Sequence, residues 1–321
     1  MLDQPENPGF APINAAFNRT FKPDHLSLGL VLPLETYAVG TAPSMERHIQ
    51  AAELADSLGF AALWLRDVPF DVPSFGDVGQ IFDPFVYLGL LAHATHNIAL
   101  GTASIILPLR HPAHVAKAAA SADVLSGGRV LLGVASGDRP EEYPAMAQSY
   151  SDRGARFRDS IGYIRNTGEP YPHHTSSFGT LSGTIDLLPK PTGPRLPLLI
   201  TGGSQQSPDW VAQHGDGWIT YPRDVASQRR VIDEYRTRLK AADVPDKPVM
   251  QSLYVDLLED AEAQPKPIHL GFQSGVSFLR RYLREIEAAG VNHVALNFRF
   301  NGQPIDHTLE KVAAELLHEF S

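Results

Sequence analysis

A chain of 321 residues is long enough for one large α/β barrel or for two ordinary domains, and 43% hydrophobic with 20% charged residues is a globular composition. The net charge of −9 comes with no basic block, which argues against nucleic acid or an anionic membrane as partner. The absence of cysteine excludes disulfides, thiolate nucleophiles and thiolate metal sites.

Residues 1–25 carry Pro5, Pro8, Pro12 and Pro23 and read as an extended arm, packed on the body or on a second subunit through Phe10, Phe17 and Phe21. A barrel domain over 26–321 follows. Leu26–Leu32 is the first strand, and Ser44–Leu58 is a helix with Met45, Ile49, Ala52, Ala55 and Leu58 on one face. Phe60–Leu65 is the second strand, Arg66–Asp83 a long loop and Pro84–Thr95 a helix. The stretch Asn97–Asp138 reads as strand, loop, Ala-rich helix, glycine turn and strand, a βαβ unit with parallel strands. Residues 137–188 form an irregular insertion after strand four, with a helix at Asp152–Thr167 and a hairpin over Thr175–Leu188. Strands at Leu196–Thr201, Trp218–Thr220, Val249–Leu257 and His293–Phe298 alternate with further helices. In one of these helices Val276, Leu279, Leu283 and Ile286 repeat at three- and four-residue steps.

Eight strands alternating with helices predict a single (β/α)8 TIM barrel, an α/β fold. A doubly wound open sheet is the second choice, but it needs a glycine-rich turn after its first strand, and Leu28–Glu35 has none. No apolar run reaches membrane-spanning length and the amino terminus lacks a signal-peptide pattern, so a cytoplasmic protein without membrane contact is expected.

A barrel site lies at the carboxyl ends of the strands. There the run Thr201-Gly202-Gly203-Ser204-Gln205-Gln206-Ser207-Pro208 leaves an apolar strand and opens a helix. It suits a phosphate held by free amides, and equally a glycine turn with a serine cap. The pairs His93/His96, His111/His114 and His173/His174 have ligand-like spacings but no accompanying carboxylate cluster. No metal is expected, and a metal-dependent barrel hydrolase is a minor alternative.

The segment GTASIILPLRHPAHVAKAAASADVLSGGRVLLGVASGD resembles the central part of the bacterial-luciferase-like flavin monooxygenases, with Asp123, Ser126, Gly128 and Arg129 falling on that family's D-x-x-S-x-G-R turn. A weaker likeness runs from about Leu28 to Phe298. The resemblance implies an FMN phosphate held by Thr201, Gly202, Gly203, Ser204 and Gln205. It implies a non-proline cis peptide or a bulge at Ala103–Ser104 beneath the ring, and further contacts from Ser136, Gly137, Asp138 and Tyr143. Light-emitting members carry an acidic residue and a His pair after strand two; Arg66-Asp67-Val68 stands here, which speaks against light emission and an aldehyde substrate. Asp67 and Arg66 are then the catalytic candidates, with a plain salt bridge between them as the blander account, and Tyr221 and Arg223 after strand six join them. The implied activity is an FMN-dependent two-component monooxygenase that takes reduced FMN from a flavin reductase and uses O2 on a small organic substrate. Deazaflavin-dependent hydride transfer and a non-catalytic flavin carrier are the alternatives, and a homodimer is the expected assembly.

Overall fold

The computed structural model describes residues 9–37, 40 and 42–320; Met1–Pro8 of the expected arm and Ser321 lie outside the described residues. In chain order the first half holds α1 (Ala15–Thr20), β1 (Ser27–Val31), α2 (His48–Leu58), β2 (Ala62–Leu65), α3 (Pro84–Ala94), β3 (Ala99–Ile106), α4 (Pro112–Leu125) and β4 (Val130–Ala135). The insertion holds α5 (Glu142–Ala145), α6 (Arg153–Thr167), β5 (His173–Ser176) and β6 (Gly179–Ser182). The remainder is β7 (Leu198–Thr201), α7 (Pro208–His214), β8 (Gly217–Thr220), α8 (Val225–Ala241), β9 (Val249–Leu257), β10 (Lys266–Ile268), β11 (Gly271–Ser274), α9 (Val276–Ala288), β12 (His293–Asn297) and α10 (Ile305–Val312).

Eight strands pair in parallel in the order β9-β12-β1-β2-β3-β4-β7-β8, and β8 pairs back onto β9. The sheet closes into the (β/α)8 barrel that the alternation of strands and helices predicts. Period-two alternation sends Val31, Ala62, Trp64, Ala99, Leu131, Leu199, Ile219, Met250 and Ala295 into the lumen. Gly101 gives Trp64 its space, since a Cβ there would overlap the indole ring. The indole Nε1 donates to His293 Nε2 at 2.9 Å.

The structure departs from the expected elements in three places. Residues 15–20 are helical, capped by Asn14, rather than extended. Ile13, Ala16, Phe17 and Phe21 join the lumen cluster, so this helix plugs the amino-terminal end of the barrel. The insertion's hairpin runs over 173–182 instead of 175–188, because its turn is tied down: Asp159 accepts from the Ser177 backbone, and Phe178 lies under Arg156 and against His111. A second hairpin, β10–β11, extends the sheet beside β9 and was not foreseen, since 258–275 shows no alternation. Asp123 and Arg129 of the glycine turn are structural. Asp123 accepts from Asn14 and Thr192, and Arg129 donates to the carbonyls of Ala92, Thr95, Ile98 and Ser126. Among the described residues no helix is long and apolar enough to cross a membrane.

Candidate active site

The lumen alternation extends beyond the core to the carboxyl rim. It carries the inward face from Trp64 to Arg66, from Gly101 to Ala103, from Leu199 to Thr201, from Ile219 to Tyr221, from Met250 to Tyr254 and from Ala295 to Asn297. One rim therefore gathers residues that are far apart in sequence.

On β3 the Ala103–Ser104 peptide is cis, and the pairing with β4 shifts register between Thr102 and Ile105, both as the resemblance implies. The Ser104 hydroxyl is hydrogen-bonded to Thr201 Oγ1, which ties β3 to β7 across the end of β4. After β4, Gly137 has φ 75°, and a Cβ there would lie 2.7 Å from Ile106 and 2.9 Å from the Tyr143 hydroxyl. Tyr143 is fully buried and donates to the Ser136 carbonyl. It shapes the loop from within and presents no surface to the mouth, unlike the contact role expected of it. Asp138 is exposed at this rim; burial, then the Asp138 charge, pushes the Tyr221 phenol up.

The loop after β7 has left-handed backbone at Gly202 (φ 55°), Ser204 (φ 44°) and Gln205 (φ 61°). The Gly202 amide continues the ladder by donating to Ile219 O at 2.8 Å, so it is not an anion donor, against expectation. The amides of Gly203, Ser204 and Gln205 donate to no acceptor among the described residues, and the Ser204 hydroxyl turns back to Thr201 O at 2.8 Å. Successive amides left open in this way form an anion-binding concavity. Helix α6 starts against the same loop, with Gly154 so close that a Cβ would sit 2.9 Å from Gln205 Cβ. Its first residue, Arg153, lies 3.7 Å over the Tyr150 ring and keeps a buried Nε without a partner among the described residues.

Arg66 and Asp67 do not pair with each other. Asp67 accepts from Arg110 Nε at 2.9 Å, Arg110 Nη2 at 2.7 Å and Ile106 N at 3.0 Å. With its lone pairs so engaged, Asp67 anchors the turn after β3 instead of handling a proton. Arg66 donates to Asp77 at 2.6 Å, and Asp77 also takes Arg299 at 3.0 Å, the Tyr37 hydroxyl at 3.1 Å and Gly79 N at 2.8 Å. Burial pushes the Asp77 carboxyl up, yet Arg66, the Gly79 amide and Arg299 hold it below the usual carboxylate range. Arg223 braces the end of β8 with Nη1 alone, through Thr220 Oγ1, Tyr221 O and Gln228 Oε1, and its Nε and Nη2 donate to no acceptor among the described residues. Tyr221 stands half-exposed above Gly202.

Sequence reasoning missed Asp77, Arg110 and Glu142. The first two lie in irregular segments where no spacing marks them. Glu142 is buried, with Oε1 unpartnered and 4.0 Å from an equally unpartnered Arg139 Nη1; burial pushes it up to about 7 against the opposing Arg139 charge, helped by Asp67 and Asp138. Among the described residues no three His, Asp or Glu side chains gather to hold a metal ion, and His111 caps α4 through Ala113 N.

The rim can be set beside known proteins. Over 212 residues the chain is 30% identical to an F420-dependent hydroxymycolic acid dehydrogenase of Mycobacterium tuberculosis, a match covering 64% of this chain and 56% of that protein. Its fold superposes on an F420-dependent secondary alcohol dehydrogenase in complex with an F420-acetone adduct, with TM-score 0.75 at 16% identity over 91% of this chain and 98% of the other. It superposes equally on the oxygenating constituent of 3,6-diketocamphane monooxygenase from the CAM plasmid of Pseudomonas putida, solved with FMN (TM-score 0.73, 14% identity, 92% and 99% covered). These two likenesses speak for the barrel alone. The family model for luciferase-like monooxygenases matches residues 27–304, and the chain is an oxidoreductase that belongs to that family.

Proposed function

We propose that the chain binds a tricyclic flavin-type cofactor, FMN or the deazaflavin F420, and uses it to oxidise or reduce a small organic molecule. The observation that supports this most is the set of amides at Gly203, Ser204 and Gln205 that have no acceptor among the described residues, on the same rim as the cis Ala103–Ser104 peptide. The amides suit a phosphate-bearing tail. Ala103, Ser104, Ser136, Gly137 and Asp138 are the residues placed to meet the ring. When bound, the cofactor supplies the redox chemistry, and the protein supplies position and a dry site. The Ser104–Thr201 bond fixes the floor, and the half-exposed Tyr221 phenol can donate a hydrogen bond toward the mouth. The β5–β6 hairpin, held at Phe178 by His111 and Arg156, is the segment suited to exclude water.

In the FMN reading the enzyme is the oxygenating half of a two-component monooxygenase, fed by a flavin reductase and using O2. The deazaflavin reading, hydride transfer without oxygen, is favoured by the mycobacterial relative that carries F420 in its name. Anaerobic titration of the purified protein with reduced FMN and with F420, followed by absorbance, tests both. Saturable binding of one of them is expected; binding of neither overturns the proposal. Admitting oxygen to the reduced-FMN complex then separates the two, since only the monooxygenase alters the rate of flavin reoxidation.

The proposed assembly is a cytoplasmic homodimer. Helix α3 is apolar but for His93 near its end, and its outer face exposes Val86 (74%) and Leu90 (44%) next to Ile81 and Phe82, a patch suited to a second copy. Sedimentation of Val86→Glu as a monomer, with the unaltered chain as a dimer, is the expected result.

A further inference from the structure

The half of the mouth built from β9, β12, β1 and β2 faces the half that carries the open amides, and it has a chemistry of its own. Three side chains turn inward there with donors to spare. Arg66 spends Nη1 on Asp77, while its Nε and Nη2 donate to no acceptor among the described residues, and its side chain is 19% exposed. Asn297 is only 5% exposed; its Oδ1 accepts from Arg299 N at 3.0 Å, and its Nδ2 has no acceptor among the described residues. The Tyr254 hydroxyl likewise has no hydrogen-bond partner there. Tyr254 is the register partner of Asn297 across β9 and β12, which sets the two side chains side by side on this rim.

Asp77, the one carboxylate of this group among the described residues, already takes four donors there. Arg299 is fully employed, since besides Asp77 it donates to Gly40 O at 2.9 Å and Gly76 O at 2.7 Å. Two guanidiniums against one carboxylate leave one positive charge, and the free edge belongs to Arg66. A pocket of donors with a single surplus charge calls for a ligand that only accepts and carries one negative charge. A carboxylate meets both conditions and matches the planar guanidinium edge. A phosphomonoester brings nearly two charges and suits the site less well.

We propose that the substrate is a carboxylic acid whose carboxylate sits on the free edge of Arg66, between the Tyr254 hydroxyl and the Asn297 amide. Because β2 pairs with β3 with Leu65 opposite Thr102, Arg66 flanks Ala103 at one strand spacing. The carbons next to the carboxylate then lie beside the cis peptide. Phe70 and Phe75, exposed on the loop after β2, offer an apolar flank for the rest of the molecule. Naming the ligand a substrate rests on the oxidoreductase reading above; its binding does not.

The test is calorimetric titration of the cofactor-free protein with benzoate and with its neutral isostere benzamide. Benzoate is expected to bind saturably at pH 7, with benzamide at least tenfold weaker. Arg66→Gln should weaken benzoate at least tenfold, and Tyr254→Phe, which leaves every partner of Asp77 in place, by severalfold. Asn297→Asp keeps the acceptor for Arg299 N but places a negative charge where the donor stood, and should abolish binding. Should Arg66→Gln fail to fold, the other two variants and the benzamide comparison carry the test. Equal affinity for benzoate and benzamide, or unaltered benzoate affinity in the folded variants, overturns the proposal. Benzoate binding in a protein that takes neither FMN nor F420 upholds the carboxylate site and removes the cofactor reading; the converse removes the site alone.

Discussion

Arg110 grips Asp67 with two nitrogens, Nε at 2.9 Å and Nη2 at 2.7 Å, and so joins the turn after β3 to the end of β2. The same carboxylate takes the Ile106 amide, which fixes the backbone two residues beyond the cis peptide. Asp67→Asn keeps the shape but surrenders the charge-assisted pair, so it should cost about 2 kcal/mol of folding stability. Urea denaturation at pH 7 checks this; a loss under about 0.5 kcal/mol, the range of ordinary surface changes, would show that the pair is idle.

Glu142 supplies a pH-dependent term. Its carboxyl is pushed up to about 7 in the folded protein from an ordinary value of 4.5, chiefly by burial. The folded state then holds the proton more tightly than the unfolded state. The stability this provides is complete below pH 4.5 and is lost as pH rises through 7. Glu142→Gln lacks the term, so the stability of the unaltered chain minus that of the variant should fall between pH 4.5 and 7 and stay level above. A flat difference would place the carboxyl in contact with water.

What the sequence disclosed of this fold and site divides along a physical line. Buried parallel strands are continuous apolar runs, so Leu198–Thr201 and His293–Asn297 could be read directly, as could α9 from its three- and four-residue spacing. The loop 202–205 was marked by its two glycines between an apolar strand and a helix start, while its reading as a phosphate site rested on the family resemblance, since left-handed Ser204 and Gln205 leave no mark in composition. The partners of Arg66 and Asp67 were not legible. Both lie in a run whose pairing is settled by tertiary placement, and Asp77 and Arg110 reach them from 11 and 43 residues away. The β10–β11 hairpin escaped for a related reason. An edge ribbon half open to solvent needs no alternation to form.

Ser204 offers the sharpest check of the anion site. At φ 44° its backbone is left-handed, a conformation that Asp tolerates better than most residues, so Ser204→Asp should fold normally. The added carboxylate loses the hydroxyl's bond to Thr201 O and puts a negative charge within the loop whose open amides a phosphate would use. Affinity for FMN or F420 should drop by about a hundredfold, roughly 2.7 kcal/mol, while the circular dichroism spectrum stays that of the folded chain. Undiminished affinity would place the phosphate elsewhere.

His293 should make the barrel acid-sensitive in the direction opposite to Glu142. Its Nε2 accepts from the Trp64 indole, which can only donate, so the ring proton sits on Nδ1, 2.7 Å from Ser27 Oγ; that hydroxyl passes its own proton to Thr20 O. Protonating Nε2 would set two N–H groups against each other in a dry lumen, and burial accordingly pushes the imidazole down to about 3 from 6.5. The neutral ring contributes stability that is fully present above pH 6.5 and is lost as pH falls toward 3. His293→Gln gives up packing at neutral pH but has no such proton to take up. The advantage of the unaltered chain over this variant should therefore shrink by up to about 1.4 kcal/mol per pH unit as the solution is acidified through that window. The Glu142 term moves the other way in an overlapping range, so a denaturation profile of the unaltered chain alone would blend the two, and each must be read as a difference against its own variant.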